Sequence, residues 1–252
     1  MQEINSKDNP KIKLYRKLSD DRKCRAEHGL FVLEGVRLVD EAESAGWADS
    51  IFITKSFLEN YGRSFTDVHD DISVYVIADE LSKKLSDTEN PQGIFAICKT
   101  PEYCCEIRHN GRYILLHHIQ DPGNLGTIIR TADAFGIDGI ITVDCCDIFN
   151  PKVIRSTMGG IFRVNVLNLS IDKAFAALRE KSIATYAAVA DKNASSFEVL
   201  SFSGGCAVLI GNEGNGLPED ITARCTQKFT IKTRISLNAS VAAGIIMYKL
   251  GS

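Results

Sequence analysis

The chain contains no Cys-x-x-Cys motif and no long apolar run, and these absences exclude several classes of protein. No run approaches the roughly 18 apolar residues that cross a bilayer. Residues 1–20 carry polar and charged groups throughout and contain no continuous apolar region, so we expect no secretory signal. The eight cysteines include two adjacent pairs and fit neither a zinc site nor a secreted disulfide framework. We therefore expect reduced thiols, a cytoplasmic protein, no membrane segment and no bound metal.

A strong excess of one charge is also missing, because the formal net charge is −3. The distribution is uneven, however, and residues 1–30 carry eight basic and five acidic side chains. Such a segment could contact the phosphates of a nucleic acid. It could also be the solvated face of a helix, and charge counts alone favour this second interpretation.

The first hundred residues read as a small α/β unit. Asn9-Pro10 is typical of a helix start, and the apolar residues that follow at helical spacing predict one basic amphipathic helix over residues 10–27. Short apolar strands then alternate with helices. Residues 100–111 show no clean period, so we predict a boundary there, between domains 1–105 and 106–252.

The second half alternates buried strands with amphipathic helices, which predicts a largely parallel sheet covered on both faces. The predicted strands are 113–119, 139–143, 164–167, 184–190, 207–210 and 228–231. The predicted helices are 125–135, 151–158, 171–181, 218–225 and 240–250. Ligands bind such sheets beyond the carboxyl ends of the strands. The informative residues should therefore lie just after strands.

Three segments near strand ends carry candidate functional groups. In residues 120–130 a capped helix start is followed by Arg130, which could also be an ordinary surface arginine. Residues 211–218 hold three glycines spaced unlike a dinucleotide-binding motif. Glu213 in their midst suits a cationic or hydroxyl-bearing ligand better than a phosphate. In residues 234–245 several capping side chains precede a helix rich in small residues. Together the three segments could form one site.

Three motifs in these segments resemble the signatures of the SpoU/TrmH family, the S-adenosylmethionine-dependent RNA ribose 2′-O-methyltransferases of the SPOUT superfamily. They are Asn124-Leu125-Gly126 with Arg130, Gly211-Asn212-Glu213-Gly214-x-Gly216-Leu217, and Ser236-Leu237-Asn238-x-Ser240 continuing to Ile245. Residues 153–162 resemble the family's segment between the first two motifs. The first half is similar to the small substrate-binding domain of the rRNA-modifying members, in Asn9-Pro10, Leu18, Arg25, Gly29, Phe31 and Glu34-Gly35.

The resemblance implies an α/β protein whose C-terminal parallel-sheet domain contains a deep trefoil knot. A small α/β RNA-binding domain, similar to a ribosomal-protein fold, would precede it. S-adenosylmethionine would be the cofactor, and RNA, with 23S rRNA favoured, would be methylated on a ribose 2′-hydroxyl. The resemblance further implies a homodimer formed through the C-terminal domain.

The same resemblance assigns roles to individual residues. Arg130 would act on the 2′-oxygen, either as an unusual base or by stabilising the alkoxide, and the high pKa of a guanidinium favours the second role. The other residues implied at the catalytic centre are Asn124, Glu213, Ser236 and Asn238. Those implied to bind the cofactor are Gly211, Asn212, Gly216, Ile231 and Leu237. The basic N-terminal helix would supply phosphate contacts from Arg16, Lys17, Arg22 and Arg25.

One stretch departs from the family pattern. Members usually carry Ile-Pro-Met-x-Gly before the third motif, whereas residues 231–236 are about three residues shorter and lack that proline, methionine and glycine. This departure puts the cofactor contact of Ile231 in doubt. It also motivates a non-catalytic RNA-binding or assembly protein as an alternative, beside a tRNA ribose methyltransferase.

Overall fold

The structure is a computed structural model that describes residues 1–61, 71–86, 88–101, 106–202, 204–212 and 214–251. It divides into two compact units: Met1–Glu102 with Phe149–Arg155, and Tyr103–Ile148 with Ser156–Ser252. The predicted boundary between residues 105 and 106 adjoins residues 102–105, which lie outside the described residues, so it stays a prediction. Within the described ranges no helix is long and apolar enough to span a bilayer.

The first unit contains alternating strands and helices. Its described strands are β1 (Gln2–Ile4), β2 (Leu30–Glu34), β3 (Ala48–Thr54), β4 (Ser73–Ile77) and β5 (Ile94–Lys99). Its described helices before residue 100 are α1 (Pro10–Asp20), α2 (Arg22–His28), α3 (Val36–Ser44), α4 (Lys55–Tyr61) and α5 (Asp79–Leu85). The strands pair in the order β1-β4-β3-β5-β2, with β5 antiparallel to both of its neighbours.

The predicted single helix over residues 10–27 is wrong, because Asp21 divides it. Asp21 has an extended backbone, and its carboxylate accepts a hydrogen bond from the amide of Lys23 at 2.8 Å. It is therefore the N-cap of α2, which is the position that aspartate favours over a helix interior. The apolar face predicted for the first helix is real, since Ile12, Tyr15 and Leu18 are buried on α1.

The second unit has strands and helices close to the predicted positions. Its strands are β6 (Arg112–His117), β7 (Gly139–Val143), β8 (Val166–Asn168), β9 (Ala184–Ala188), β10 (Ser195–Ser196), β11 (Cys206–Ile210) and β12 (Gln227–Thr230). The helices after residue 106 are α6 (Pro122–Ala134), α7 (Pro151–Thr157), α8 (Ile171–Glu180), α9 (Glu219–Ala223) and α10 (Ala239–Gly251).

The predicted parallel sheet is confirmed in this unit. The strands follow the order β10-β12-β9-β11-β6-β7-β8, and each described pair is parallel. Every residue of β11 is buried, which requires cover on both faces of the sheet. Helix α8 covers one of these faces, since its Phe175 and Leu178 pack with Leu115 and Leu209 of the sheet. Because β11 lies between β6 and β9, the loops after these strands meet at one edge.

Candidate functional site

A cleft of about 810 Å³ opens at the carboxyl ends of β9, β11 and β12, beside the start of α10. Its volume lies within the range of sites that bind a small molecule or cofactor. All the residues predicted to bind the cofactor line it, together with Ser236. These residues are Gly211, Asn212, Gly216, Ile231 and Leu237. The structure therefore brings this predicted set together around one cavity, and the shorter stretch 231–236 does not remove Ile231 from it.

The glycine loop, residues 211–218, is folded back on itself. The amide of Gly216 donates to the carbonyl of Asn212 at 2.8 Å, and Gly216 has a φ of 65°. A Cβ at Gly211 would overlap the carbonyl group of Gly216 and lie 2.5 Å from the amide nitrogen of Leu217. Because backbone cannot move aside like a flexible side chain, only glycine fits at position 211. Glu213 of this loop lies outside the described residues.

The first loop, as we use the term, is the connection 118–121 between β6 and α6 together with the first residues of α6, up to Asn124. Asp121 caps α6 by accepting a hydrogen bond from the amide of Asn124 at 2.7 Å. The side-chain amide of Asn212 donates to the carbonyl of His118 at 3.1 Å. His118 has a φ of 60°, so the chain turns sharply there before α6 begins. The glycine loop and the first loop are thus joined by a direct hydrogen bond.

The third loop, residues 231–238, connects β12 to α10. Asn238 at its end accepts hydrogen bonds from both the amide and the hydroxyl of Ser240. Its side-chain amide donates to Oδ1 of Asn124 at 3.0 Å. The third loop is therefore joined to the first loop, and all three motifs meet at one edge of the sheet.

Arg130 lies on α6, on an exposed position nearly two turns beyond Asn124. It is not among the residues that line the cleft. The short 3₁₀ helix Gly160–Phe162 packs against α6, and a Cβ at Gly160 would lie 3.2 Å from the Cα of Arg130. Gly160 thus allows this segment, noted in the sequence only as a family resemblance, to approach the backbone of Arg130 closely.

The residues predicted to contact RNA phosphates differ in their placement. Arg16, Lys17 and Arg22 are exposed on α1 and α2. Arg25 is only 5% exposed, and its Nη1 donates to the carbonyls of Leu18 and Ser19 at 2.5 and 2.9 Å. The prediction for Arg25 needs correction, since its guanidinium is used inside the first unit to bind the carbonyl end of α1.

Sequence reasoning did not single out His117, which ends β6 beside the site. Its Nδ1 is buried and has no hydrogen-bond partner in the described part of the chain. Burial, followed by the neighbouring His118, lowers the pKa of His117 below its usual value. Among the described residues no cluster of His, Cys, Asp and Glu could hold a metal ion.

Family models match both parts of the chain. The SpoU rRNA Methylase family matches residues 111–248, and the MRM3-like substrate binding domain matches residues 9–96. The first match covers the parallel sheet and all three loops of the site. The fold and the site thus define the class of this protein: it has a SpoU methylase domain preceded by a substrate-binding domain.

Individual relatives agree with the family models. The Bacillus subtilis 23S rRNA (guanosine(2553)-2′-O)-methyltransferase RlmP is 32% identical over 99% of both chains. Human mitochondrial rRNA methyltransferase 3 is 34% identical over 58% of this chain and 37% of its own length. Among solved structures, the AdoMet-bound rRNA methyltransferase from Sinorhizobium meliloti has a TM-score of 0.86 at 27% identity, with 98% of this chain and 96% of that chain covered. The chain belongs to the SpoU rRNA methylase family.

Proposed function

We propose that this chain transfers a methyl group from S-adenosylmethionine to a ribose 2′-hydroxyl of 23S rRNA. The observation that carries the proposal is the hydrogen-bonded junction of the three motif loops beside a cleft of cofactor size. S-adenosylmethionine would supply an electrophilic methyl group on a sulfonium. The chain must then align the hydroxyl with that methyl and handle the hydroxyl proton.

The volume of the cleft suits an adenosine-bearing cofactor, and so do the main-chain polar groups that line the cleft. Gly211 and Gly216 bring main-chain groups to the cleft without a side chain between them and a ligand. Ile231 and Leu237 border the same space from the third loop. We assign the cofactor to these residues together with Asn212, as the sequence predicts.

Arg130 is assigned to the reacting ribose oxygen. A guanidinium is a poor base and a fixed positive charge, so we assign it to stabilising an alkoxide rather than to removing the proton. Asn124 positions this end of α6, and Asn238 holds Asn124 by the 3.0 Å hydrogen bond between their side chains. We assign two further residues to the catalytic centre: Ser236, which lines the cleft, and Glu213.

Ribosomal RNA is favoured as the substrate because a relative that matches along 99% of both chains is named for 23S rRNA. The match to a substrate-binding domain over residues 9–96 supports the same choice. Arg16, Lys17 and Arg22, all exposed, are assigned to phosphate contacts. A tRNA substrate and a non-catalytic assembly role are the outcomes against which the proposal is tested.

A homodimer completes the proposal, with α10 in its interface. Val241, Ile245 and Tyr248 form an apolar stripe on α10 and are 50%, 38% and 66% exposed. Exposed apolar stripes of this kind mark protein–protein contacts. The trefoil knot implied by the family and the cytoplasmic location expected from the cysteine pattern remain part of the proposal.

The test uses an unmodified 23S rRNA transcript and radiolabelled S-adenosylmethionine. We expect wild-type protein to label the rRNA and Arg130→Ala to lose at least a hundredfold in rate. Calorimetry with S-adenosylhomocysteine should give the same dissociation constant for both proteins. Undiminished labelling by the variant would remove Arg130 from its role. An absence of both labelling and cofactor binding in the wild type would favour the assembly protein, and labelling of tRNA alone would move the substrate to tRNA.

A further inference from the structure

Three basic side chains line the mouth of the cleft, and the catalytic assignment uses none of them. Lys192 follows β9, while Lys232 and Arg234 belong to the third loop after β12. All three side chains are exposed. In the part of the chain that the structure describes, none of them forms an ion pair. A chain with a net charge of −3 thus gathers three cations at one opening.

The sheet places these cations after the ends of β9 and β12, whereas Asn124 follows β6. Strands β9 and β12 are neighbours, with Ala188 opposite Phe229, so the segments that follow them emerge together. Strand β6, which leads to Asn124, is separated from β12 by β9 and β11. Three strand spacings amount to about 14 Å. The basic cluster, Lys192, Lys232 and Arg234, therefore follows strands on the far side of β11 from β6, and none of its members is assigned to the reacting ribose.

The charge of the possible occupants distinguishes between them. S-adenosylmethionine carries a sulfonium and an ammonium against one carboxylate, so a cluster of three cations repels it overall. No carboxylate from a described residue lines the cleft to offset this repulsion. A polyanion is attracted, and lysine and arginine are the side chains that bind phosphate oxygens. Exposed side chains at the mouth also suit a macromolecule that stays outside the cleft.

We propose that Lys192, Lys232 and Arg234 bind backbone phosphates of the substrate RNA next to the target nucleotide. This inference rests on the proposed function and adds a second RNA contact, made by the methylase domain itself. The cofactor would lie inside the cleft, and the RNA strand would cross its mouth from the Arg130 side to the basic cluster.

The experiment compares two triple variants by their RNA affinity at several salt concentrations. The test variant is Lys192→Gln, Lys232→Gln and Arg234→Gln. The control, Lys173→Gln, Arg179→Gln and Lys228→Gln, removes the same charges from exposed positions on α8 and β12. Each cation on a single-stranded phosphate adds about 0.7 to the slope of log affinity against log salt. The test variant should flatten that slope by about 2, while the control leaves it unchanged.

Calorimetry with S-adenosylhomocysteine separates the outcomes further. We expect the test variant to bind it within twofold of wild type. An unchanged salt slope would overturn the inference, as would an equal flattening in the control. A tenfold loss of S-adenosylhomocysteine affinity with an unchanged slope would assign the cluster to the cofactor carboxylate instead. If wild-type protein neither binds nor methylates the transcript, the proposed function itself fails, and that result is read before the variants are compared.

Discussion

Gly211 shows how one missing side chain fixes the shape of the site. A methyl group there would overlap the backbone of Gly216, so the glycine loop would have to open. We expect Gly211→Ala to weaken S-adenosylhomocysteine binding more than tenfold while the protein stays folded. Gly214→Ala is the matched control, because its Cβ would meet only the side-chain Oδ1 of Asn212, at 3.2 Å. Equal affinities of the two variants by calorimetry would contradict this account.

A single residue, His117, should make the free energy of unfolding depend on pH. Because burial lowers its pKa below the ordinary 6.5, the folded protein takes up this proton less readily than the unfolded chain. Stability should therefore fall as the pH drops from about 7.5 to about 5.5. His117→Gln should reduce that loss, as measured by urea unfolding at both pH values. His109→Gln, at an exposed position, serves as the control and should lose as much as wild type.

Residue identity predicted the members of the site better than it predicted their contacts. The motifs placed Gly211, Asn212 and Leu237 in one cavity, where they lie. The hydrogen bonds between loops could not be predicted, because they join residues up to 114 positions apart. Arg25 was misjudged for a related reason. Counting charges along a segment does not show which guanidinium turns inward.

At the scale of elements, hydrophobic periodicity predicted most of the fold. It located β7 and the start of α8 at the observed residues, because buried strands and amphipathic helices repeat with different periods. It missed β1, whose three residues are too few to show alternation, and α4. It also joined α1 and α2, because the apolar spacing continues across Asp21. The antiparallel pairing of β5 depends on contacts between distant segments, which no local pattern records.

The junction of α1 and α2 depends on Arg25. Its guanidinium donates two hydrogen bonds to carbonyls in the last turn of α1. A positive charge at this position also interacts favourably with the negative end of the helix dipole. We expect Arg25→Ala to lower the free energy of unfolding by about 2 kcal/mol. Arg22→Ala, at an exposed position, should change it by less than about 0.5 kcal/mol. Urea unfolding measures both.

We expect the same two variants to differ in the opposite sense in their effect on RNA binding. Arg22→Ala should flatten the salt slope of RNA affinity, whereas Arg25→Ala should leave it unchanged. If Arg25→Ala flattened the slope without any loss of stability, the buried position of Arg25 would not describe the protein in solution.

At the scale of the whole molecule, the apolar stripe on α10 predicts the oligomeric state. Ile245→Glu places a charge in the middle of the stripe and should convert the proposed dimer to a monomer, as measured by light scattering during size-exclusion chromatography. Val199→Glu is the control, since Val199 is 80% exposed and lies on a different element. A wild-type monomer, or a dimer that survives Ile245→Glu, would exclude this interface.

The two side-chain amide hydrogen bonds, from Asn212 to His118 and from Asn238 to Asn124, have a consequence beyond the cleft. The loops that border the cleft hold the beginning of the helix that carries Arg130. A ligand that settles these loops therefore also sets the direction of that helix. Events at the cleft and the orientation of the arginine-bearing helix are therefore coupled through two amide side chains.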